Sequence, residues 1–274
     1  MIPFTQCVMR YAVLMPAAKA IGVELQMSAP TFISIVITSM LISVVITRRD
    51  TGLIHSIVSA VGIIIGGFII LKLITPKLAL AYVALVIMVW LYCYSYKRQF
   101  LIGNIYVALF AALTPLTVLL ELPLIYSAYG QYLLAANLNL NFAVYWCLGV
   151  SGFIFLTVLS HEIIMDTEEF ETEDLTEECQ SLPFVMGAPF AKLVIIGINA
   201  ANVLMLCLLH VFFLHKIAGL FSLFYILLLL VVPLLFISRK IHHAVAGADY
   251  HKAGNLMKLT LPAGIAYSGV IFFL

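Results

Sequence analysis

Charge is the scarcest property of this sequence. Only 10% of its 274 residues are Asp, Glu, Lys or Arg, whereas 64% are hydrophobic and the mean hydropathy is +1.14. Soluble domains carry charge on about a quarter of their residues, so this composition excludes an ordinary soluble protein. The net charge is only +1, and its signs are segregated by loop, which gives no support to a nucleic-acid partner.

Cysteine is also rare, and its spacing shows no pattern. No two of the five cysteines form a CxxC pair, and every one except Cys179 lies in an apolar span: Cys7, Cys93, Cys147 and Cys207. Zinc sites and disulfide frameworks depend on recognisable cysteine spacing. We therefore expect neither here, and interpret these residues as small apolar filler between helices.

Long apolar runs take up most of the chain. A helix needs about 20 residues to cross roughly 30 Å of hydrocarbon, and nine runs meet that length: Ile2–Ile21, Pro30–Thr47, Leu53–Ile74, Leu78–Tyr96, Leu101–Leu120, Asn141–Ser160, Phe190–Leu214, Ile217–Ser238 and Leu256–Phe273. The sequence thus predicts an all-α, polytopic membrane protein with nine transmembrane helices in one domain, residues 1–274.

The basic residues predict the orientation of these spans, since Lys and Arg accumulate in cytoplasmic loops. One set of loops carries nine of them: Arg48, Arg49, Lys97, Arg98, Lys192, Arg239, Lys240, Lys252 and Lys258. The opposite loops carry only Lys72, Lys77 and Lys216. We therefore expect a cytoplasmic N-terminus in a multi-pass membrane protein, which in a bacterium would lie in the inner membrane.

Acidic residues are almost confined to one predicted cytoplasmic segment. Between Leu159 and Gly187, in LSHEIIMDTEEFETEDLTEECQSLPFVMG, lie nine of the 13 acids of the chain. If the sixth helix continues through this segment, Glu162, Asp166, Glu169 and Glu173 recur on one helical face. Such carboxylates repel one another, and their hard oxygen atoms suit Mg²⁺, which usually keeps waters and a substrate phosphate as further ligands. A solvated acidic loop remains the alternative.

Basic residues are predicted on the same side of the membrane. Lys97 and Arg98 follow the fourth span in YSYKRQFLIGN, and more cations lie in residues 239–258. Acids that hold a metal ion and bases that hold anionic oxygens are the two halves of a diphosphate site. The general excess of Lys and Arg in cytoplasmic loops is an equally good explanation.

The acidic segment resembles the second acidic motif of the UbiA superfamily of intramembrane prenyltransferases, in the style of the branch that prenylates a glycerol phosphate lipid. Asp166, Glu169 and Glu173 match its metal-binding acids, and Leu182, Pro183 and Gly187 match its end. YSYKRQFLIGNIYVALFAALTPL, with Lys97, Arg98 and Asn104, and ADYHKAGNLMKLTLPAG resemble two further stretches of the family. Glu162, one turn before Asp166, is a supporting residue.

The resemblance implies a reaction. Magnesium bridges two acidic motifs to an isoprenyl diphosphate, which ionises, and the carbocation alkylates a lipid or aromatic acceptor within the helical bundle. The expected metal ligands are Asp166, Glu169 and Glu173, and the expected diphosphate contacts are Lys97 and Arg98. The implied partners are a polyprenyl diphosphate donor, the acceptor and membrane lipids.

One expected element is missing from the sequence. The first acidic motif of the family, NDxxDxxxD, belongs between the second and third spans, where this chain reads LISVVITRRDTGLIHS, as if a block had been deleted near Ile46 and Thr47. His161 and Met165 also replace an Arg and a Lys of the pattern. We therefore expect impaired transfer, with a non-catalytic isoprenoid- or lipid-binding relative or a small membrane transporter as alternatives.

Overall fold

The computed structural model describes residues 1–47, 61, 64, 66–68, 87, 88, 92, 100–172, 181–214 and 219–273. Contacts between residues group the chain into two units: 1–97 with 113–148, and 98–112 with 149–274. We refer to them as unit 1 and unit 2. The prediction of one domain across residues 1–274 stays a prediction.

Every regular element in the described ranges is helical. In chain order the α-helices are α1 (Ile2–Val8), α2 (Met15–Ala20), α3 (Ala29–Thr47), α4 (Ile102–Leu116), α5 (Leu122–Ala135), α6 (Asn141–Glu171), α7 (Leu182–Met186), α8 (Ala188–Leu209), α9 (Gly219–Tyr225), α10 (Val232–His243) and α11 (Gly247–Phe273). Three π-helical segments, Met9–Leu14, His210–Leu214 and Ile226–Val231, and a 3₁₀ segment, Thr117–Glu121, join some of them.

Prolines accompany several of these changes in helix type. A proline lacks the N–H that would reach back to the carbonyl four residues earlier, and its ring crowds that carbonyl. Pro16 and Pro233 each stand two residues after a π-helical segment. Pro115 stands two residues before the 3₁₀ segment, and Pro123 follows it. The chain therefore stays helical while its pitch changes.

The all-helical prediction is confirmed for the described residues, but the count of nine membrane spans is not. In those residues, four helical stretches are long and apolar enough to cross a membrane: Ile102–Ala135, Asn141–Glu171, Ala188–Phe212 and Leu220–His243. Nearly all of the third and fourth predicted spans, Leu53–Ile74 and Leu78–Tyr96, lies outside the described residues.

Unit 1 contains a buried ion pair. Arg10 Nε lies 3.3 Å from Glu121 Oε2, and the two residues are 4% and 1% exposed. Both side chains also bond to the backbone of Met27. Arg10 Nη2 donates to the Met27 carbonyl at 2.6 Å, and the Met27 N–H donates to Glu121 Oε1 at 2.9 Å. The carboxylate of Glu121 is therefore buried with two partners, the Arg10 guanidinium and the Met27 N–H.

Unit 2 is held together by polar side chains as well as by apolar packing. α10 packs against both α8 and α11. Ser160 donates to Asn199, which donates to Ser238, and Asn202 donates to Thr157. Within a membrane, hydrogen bonds of this kind link helices that have no hydrophobic force between them. They connect α6, α8 and α10 and so fix the helix that carries the acids.

Candidate functional site

The acids stand at the carboxyl end of α6, the longest helix among the described residues. α6 runs for 31 residues, from Asn141 to Glu171, so the sixth predicted span continues into the acidic segment. Asp166 and Glu169 are half-buried and three residues apart, which places them on one helical face. Glu173, the third predicted metal ligand, lies outside the described residues.

Asp166 is held by Asn104. The side-chain amide of Asn104, in the first turn of α4, donates to Asp166 Oδ2 at 2.8 Å. The two residues are 62 positions apart in the chain. A neutral amide that donates to a carboxylate stabilises its charged form and fixes its rotamer. The structure thus brings together a predicted metal ligand and a predicted supporting residue.

The other predicted site residues have different surroundings. Glu162 is half-buried, and its Oε1 lies 3.4 Å from His161 Nδ1. Lys97 and Arg98, the predicted diphosphate contacts, lie outside the described residues. Of the seven predicted site residues, Asn104 and Asp166 are therefore the pair for which a direct contact is established.

The segment after the acids begins with a short helix. α7 spans Leu182–Met186, with Pro183 in its first turn, where a missing N–H costs nothing. Gly187 follows it at φ +81°, and its N–H donates to the carbonyl of Pro183 at 2.9 Å. A positive φ at this position suits glycine. Leu182, Pro183 and Gly187, the end of the predicted motif, are therefore the residues that form and end α7.

Aromatic packing links the end of α6 to α7. The rings of Phe170 and Phe184 lie edge to face, with their centroids 5.4 Å apart and their planes at 78°. Such pairs are worth about 0.5–1.5 kcal/mol beyond the buried area. This contact holds the last turn of α6 against α7.

A further contact at the end of α6 was not predicted. Glu168 Oε1 lies 2.8 Å from Nδ1 of His251, near the start of α11. The two residues are 83 positions apart, and a separation of that size gives no sign in the sequence that they meet. Glu168 also lies off the predicted acidic stripe, so no periodicity could have found the pair.

The described carboxylates suit a hard metal ion. Among the described residues, no three His, Cys, Asp or Glu side chains are grouped closely enough to enclose a metal. Magnesium does not need such a group, because it commonly binds one or two carboxylates and keeps water and phosphate oxygens as its other ligands. Asp166, fixed by Asn104, and Glu169 on the same face fit that pattern.

Comparisons with known proteins agree with the fold. No family model matches the chain. Digeranylgeranylglyceryl phosphate synthase of Methanosphaera stadtmanae is 26% identical over 151 residues, which is 55% of this chain and 46% of that protein. The match thus spans about half the length of this curated relative.

Two solved structures are similar over the whole chain. One, from work on digeranylgeranylglyceryl phosphate synthase in membranes, has a TM-score of 0.67 and 16% identity, and covers 100% of this chain and 96% of that one. The other, a UbiA homologue from Aeropyrum pernix, has a TM-score of 0.63 and 12% identity, covering 100% and 99%. The resemblance of this chain to the UbiA superfamily is therefore confirmed, and the chain has the fold of that superfamily.

Proposed function

We propose that this protein is a UbiA-type intramembrane prenyltransferase whose turnover is impaired because it lacks the first acidic motif. It would take an isoprenyl group from an allylic diphosphate and transfer it to a lipid or aromatic acceptor. The observation that supports this most is the Asn104–Asp166 hydrogen bond, which orients a carboxylate of the matched motif at the end of a membrane-spanning helix.

The residues of this chain have separate roles in the proposal. Asp166, Glu169 and Glu173 would hold Mg²⁺, which when bound neutralises the charge of the diphosphate leaving group. Asn104 fixes the rotamer of Asp166, and Lys97 with Arg98 would contact the phosphate oxygens. In the transfer, the bond between the allylic carbon and the diphosphate oxygen breaks, the acceptor oxygen or carbon forms the new bond, and the acceptor loses a proton.

A lipid acceptor is the first to test. The curated relative is a digeranylgeranylglyceryl phosphate synthase, and the match includes about half of each chain. A glycerol phosphate lipid with one prenyl chain is amphiphilic, so it would present its hydroxyl at the membrane interface, where we expect α6 to end. An aromatic acceptor remains a second arm of the same assay.

A non-catalytic relative is the second candidate, and one observation favours it. Removing a single preorganised charge-stabilising contact commonly costs about 2.7–4 kcal/mol in the barrier, and here a complete motif is missing from the sequence between α3 and the third predicted span. Such a protein would keep the fold and bind an isoprenoid diphosphate without consuming it.

A transfer assay separates these candidates. The purified protein in lipid nanodiscs would be given geranylgeranyl diphosphate and Mg²⁺ with either a prenylated glycerol phosphate or a hydroxybenzoate, and the products followed by mass spectrometry. Slow transfer that disappears in an Asp166→Asn variant supports an impaired enzyme. Binding of the diphosphate with no product from either acceptor supports the non-catalytic relative.

A further inference from the structure

The acid-bearing end of α6 is held on two sides by different elements. Asn104 of α4 bonds to Asp166, and His251 of α11 bonds to Glu168, each at 2.8 Å. Successive residues of an α-helix are rotated by about 100°, so Glu168 lies roughly 160° around the helix from Asp166. The two contacts therefore grip nearly opposite faces of the same turn.

Glu168 depends on His251 for its position. The Glu168 side chain is 18% exposed, its Oε2 is buried, and that atom has no hydrogen-bond partner. The contact of Oε1 with His251 is thus the hydrogen bond that satisfies this carboxylate among the described residues. Because an unsatisfied half-buried carboxylate is costly, loss of His251 would drive Glu168 toward water and turn or fray the end of the helix.

Backbone packing brings His251 to Glu168. A methyl group at Gly247 would lie 2.6 Å from Thr172 Cγ2 and 3.5 Å from the carbonyl oxygen of Glu168, so the start of α11 rests directly on the last turn of α6. A side chain at this position would force Thr172 to move. The contact is therefore set by the fold and not by the two side chains alone.

The segment that carries His251 is itself anchored. Lys192 Nζ, on α8, donates to the carbonyl of Ala244 at 2.6 Å and lies 5.9 Å from the ring centroid of Tyr250. Tyr250 is fully buried, and its burial raises its pKa to about 12. Asp249 accepts from the N–H groups of Val245 and Ala246 at 3.3 and 3.5 Å, and these bonds lower its pKa.

From these contacts we propose that His251 is a positioning residue for the acidic site. By holding Glu168, it fixes the rotation of the last turn of α6, so that Asp166 and Glu169 face the same way when Mg²⁺ and the diphosphate bind. The inference rests on the proposed function, because it assigns the orientation of the metal-binding face to a residue of α11. His251 itself is not required to touch the substrate.

The consequence for metal binding is measurable. Residues that orient metal ligands typically change metal affinity by about 10- to 100-fold, and His251 acts one step further away, so we expect about three- to tenfold. The experiment measures the Mg²⁺ concentration that gives half of the thermal stabilisation at a fixed concentration of geranylgeranyl diphosphate. His251→Ala should raise it by that factor, and His251→Gln, which keeps a donor, should restore most of the loss.

Two control variants separate positioning from general loosening. Lys192→Met releases the same segment from α8 but leaves its contact with α6, and His243→Ala removes an exposed ring that packs edge to face against His242. Both should keep the wild-type Mg²⁺ requirement. Equal increases in His251→Ala and Lys192→Met, or no increase in His251→Ala, would overturn the proposal.

Hydrogen exchange without ligand distinguishes a failure of the proposed function from a failure of the positioning role of His251. In ligand-free protein, His251→Ala should speed amide exchange in residues 166–172, whereas Lys192→Met should not. A wild-type protein that shows no Mg²⁺ effect would contradict the proposed function. Unchanged exchange in His251→Ala would contradict the positioning role, whatever the Mg²⁺ titration gives.

Discussion

At the residue scale, the site depends on how one carboxylate is oriented. Asp166 is half-buried and accepts from Asn104 at 2.8 Å, and Glu169 follows on the same face. An amide donor does not compete with a metal ion for negative charge as a lysine would, because it leaves the full charge of the carboxylate in place. Asn104 therefore orients the carboxylate without neutralising it.

Asn104→Ala tests this role. The variant removes one hydrogen bond to a charged group, which is worth about 1.5–3 kcal/mol, and we expect the Mg²⁺ requirement for stabilisation by a prenyl diphosphate to rise roughly 10- to 100-fold. Asn139→Ala is a matched control, because Asn139 accepts from a nearby backbone N–H in a loop of unit 1. Equal Mg²⁺ requirements in Asn104→Ala and the wild type would contradict the assigned role.

Asp249 adds a pH dependence of stability. Its bonds to the N–H groups of Val245 and Ala246 lower its pKa, and it lies half-buried in the first turn of α11. A depressed pKa in the folded state stabilises the protein above the unfolded value near 3.9, and this contribution is lost as the pH falls through the lowered pKa. Asp249→Asn should therefore melt earlier than the wild type at pH 7, with the difference narrowing below about pH 4.

The residues show what a sequence can and cannot predict. Asp166, Glu169 and Asn104 could be singled out because each lies in a short motif whose residue types carry the signal. The partners of Glu168 and Glu121 are 83 and 111 residues away in the chain. Contacts at such separations depend on how helices pack, and no spacing within one segment encodes them.

At the scale of helices, the Arg10–Glu121 pair joins a π-helical segment to a 3₁₀ segment and to the loop at Met27. The Arg10 guanidinium also lies 4.4 Å from the ring centroid of Phe32. A buried pair with these additional bonds is costly to break from one side, because the remaining charge is left without a partner.

Arg10→Met and Glu121→Gln test the pair. Each single variant should lower the free energy of unfolding by about 3–5 kcal/mol, and the double variant should lose clearly less than the sum. Unfolding in mixed micelles by SDS, followed by circular dichroism, gives these values. Strictly additive losses would contradict a direct interaction between the two side chains.

Two glycines of α11 form a second test of helix packing. A methyl group at Gly264 would lie 2.1 Å from Cε1 of Phe153 on α6, whereas one at Gly269 would meet nothing within 4 Å. We expect Gly264→Ala to destabilise by about 1–3 kcal/mol and Gly269→Ala to be neutral or to stabilise by up to about 1 kcal/mol. Equal melting temperatures for the two variants would show that α11 does not pack against α6 as described.

The presence of helices was easier to predict than their type or their ends. Apolar length indicated the helices, because a membrane-spanning segment must satisfy its own backbone hydrogen bonds. The π-helical and 3₁₀ segments were not predicted, although Pro16, Pro115 and Pro233 stand near three of the four. The sequence left open whether α6 continues to Glu171, because a stripe of like charges disfavours an isolated helix.

At the scale of the whole molecule, the chain combines the UbiA fold with a sequence that lacks one of the two acidic motifs. The fold similarity covers 100% of the chain, with TM-scores of 0.67 and 0.63. The missing motif would bind the diphosphate from the side opposite the remaining carboxylates. These carboxylates alone are therefore expected to support binding better than turnover.

Restoring the missing block tests that expectation. Inserting an NDxxDxxxD loop with its following basic stretch between Ile46 and Thr47 should raise prenyl transfer by at least about 100-fold, the effect of one lost charge-stabilising contact. The same insertion with its acids changed to Asn should not raise transfer. A wild-type rate that the insertion fails to improve would mean that the second motif is sufficient.

The most direct test of the central claim is whether Mg²⁺ and a prenyl diphosphate stabilise the wild-type protein together through Asp166 and Glu169. Each ligand supplies charge that the other neutralises, and saturation at about 100 times Kd contributes about 2.7 kcal/mol. We therefore predict a melting shift of about 5–10 °C with both ligands that exceeds the sum of the separate shifts. The Asp166→Asn, Glu169→Gln double variant should lose this excess, and an equal shift in that variant and the wild type would contradict the account.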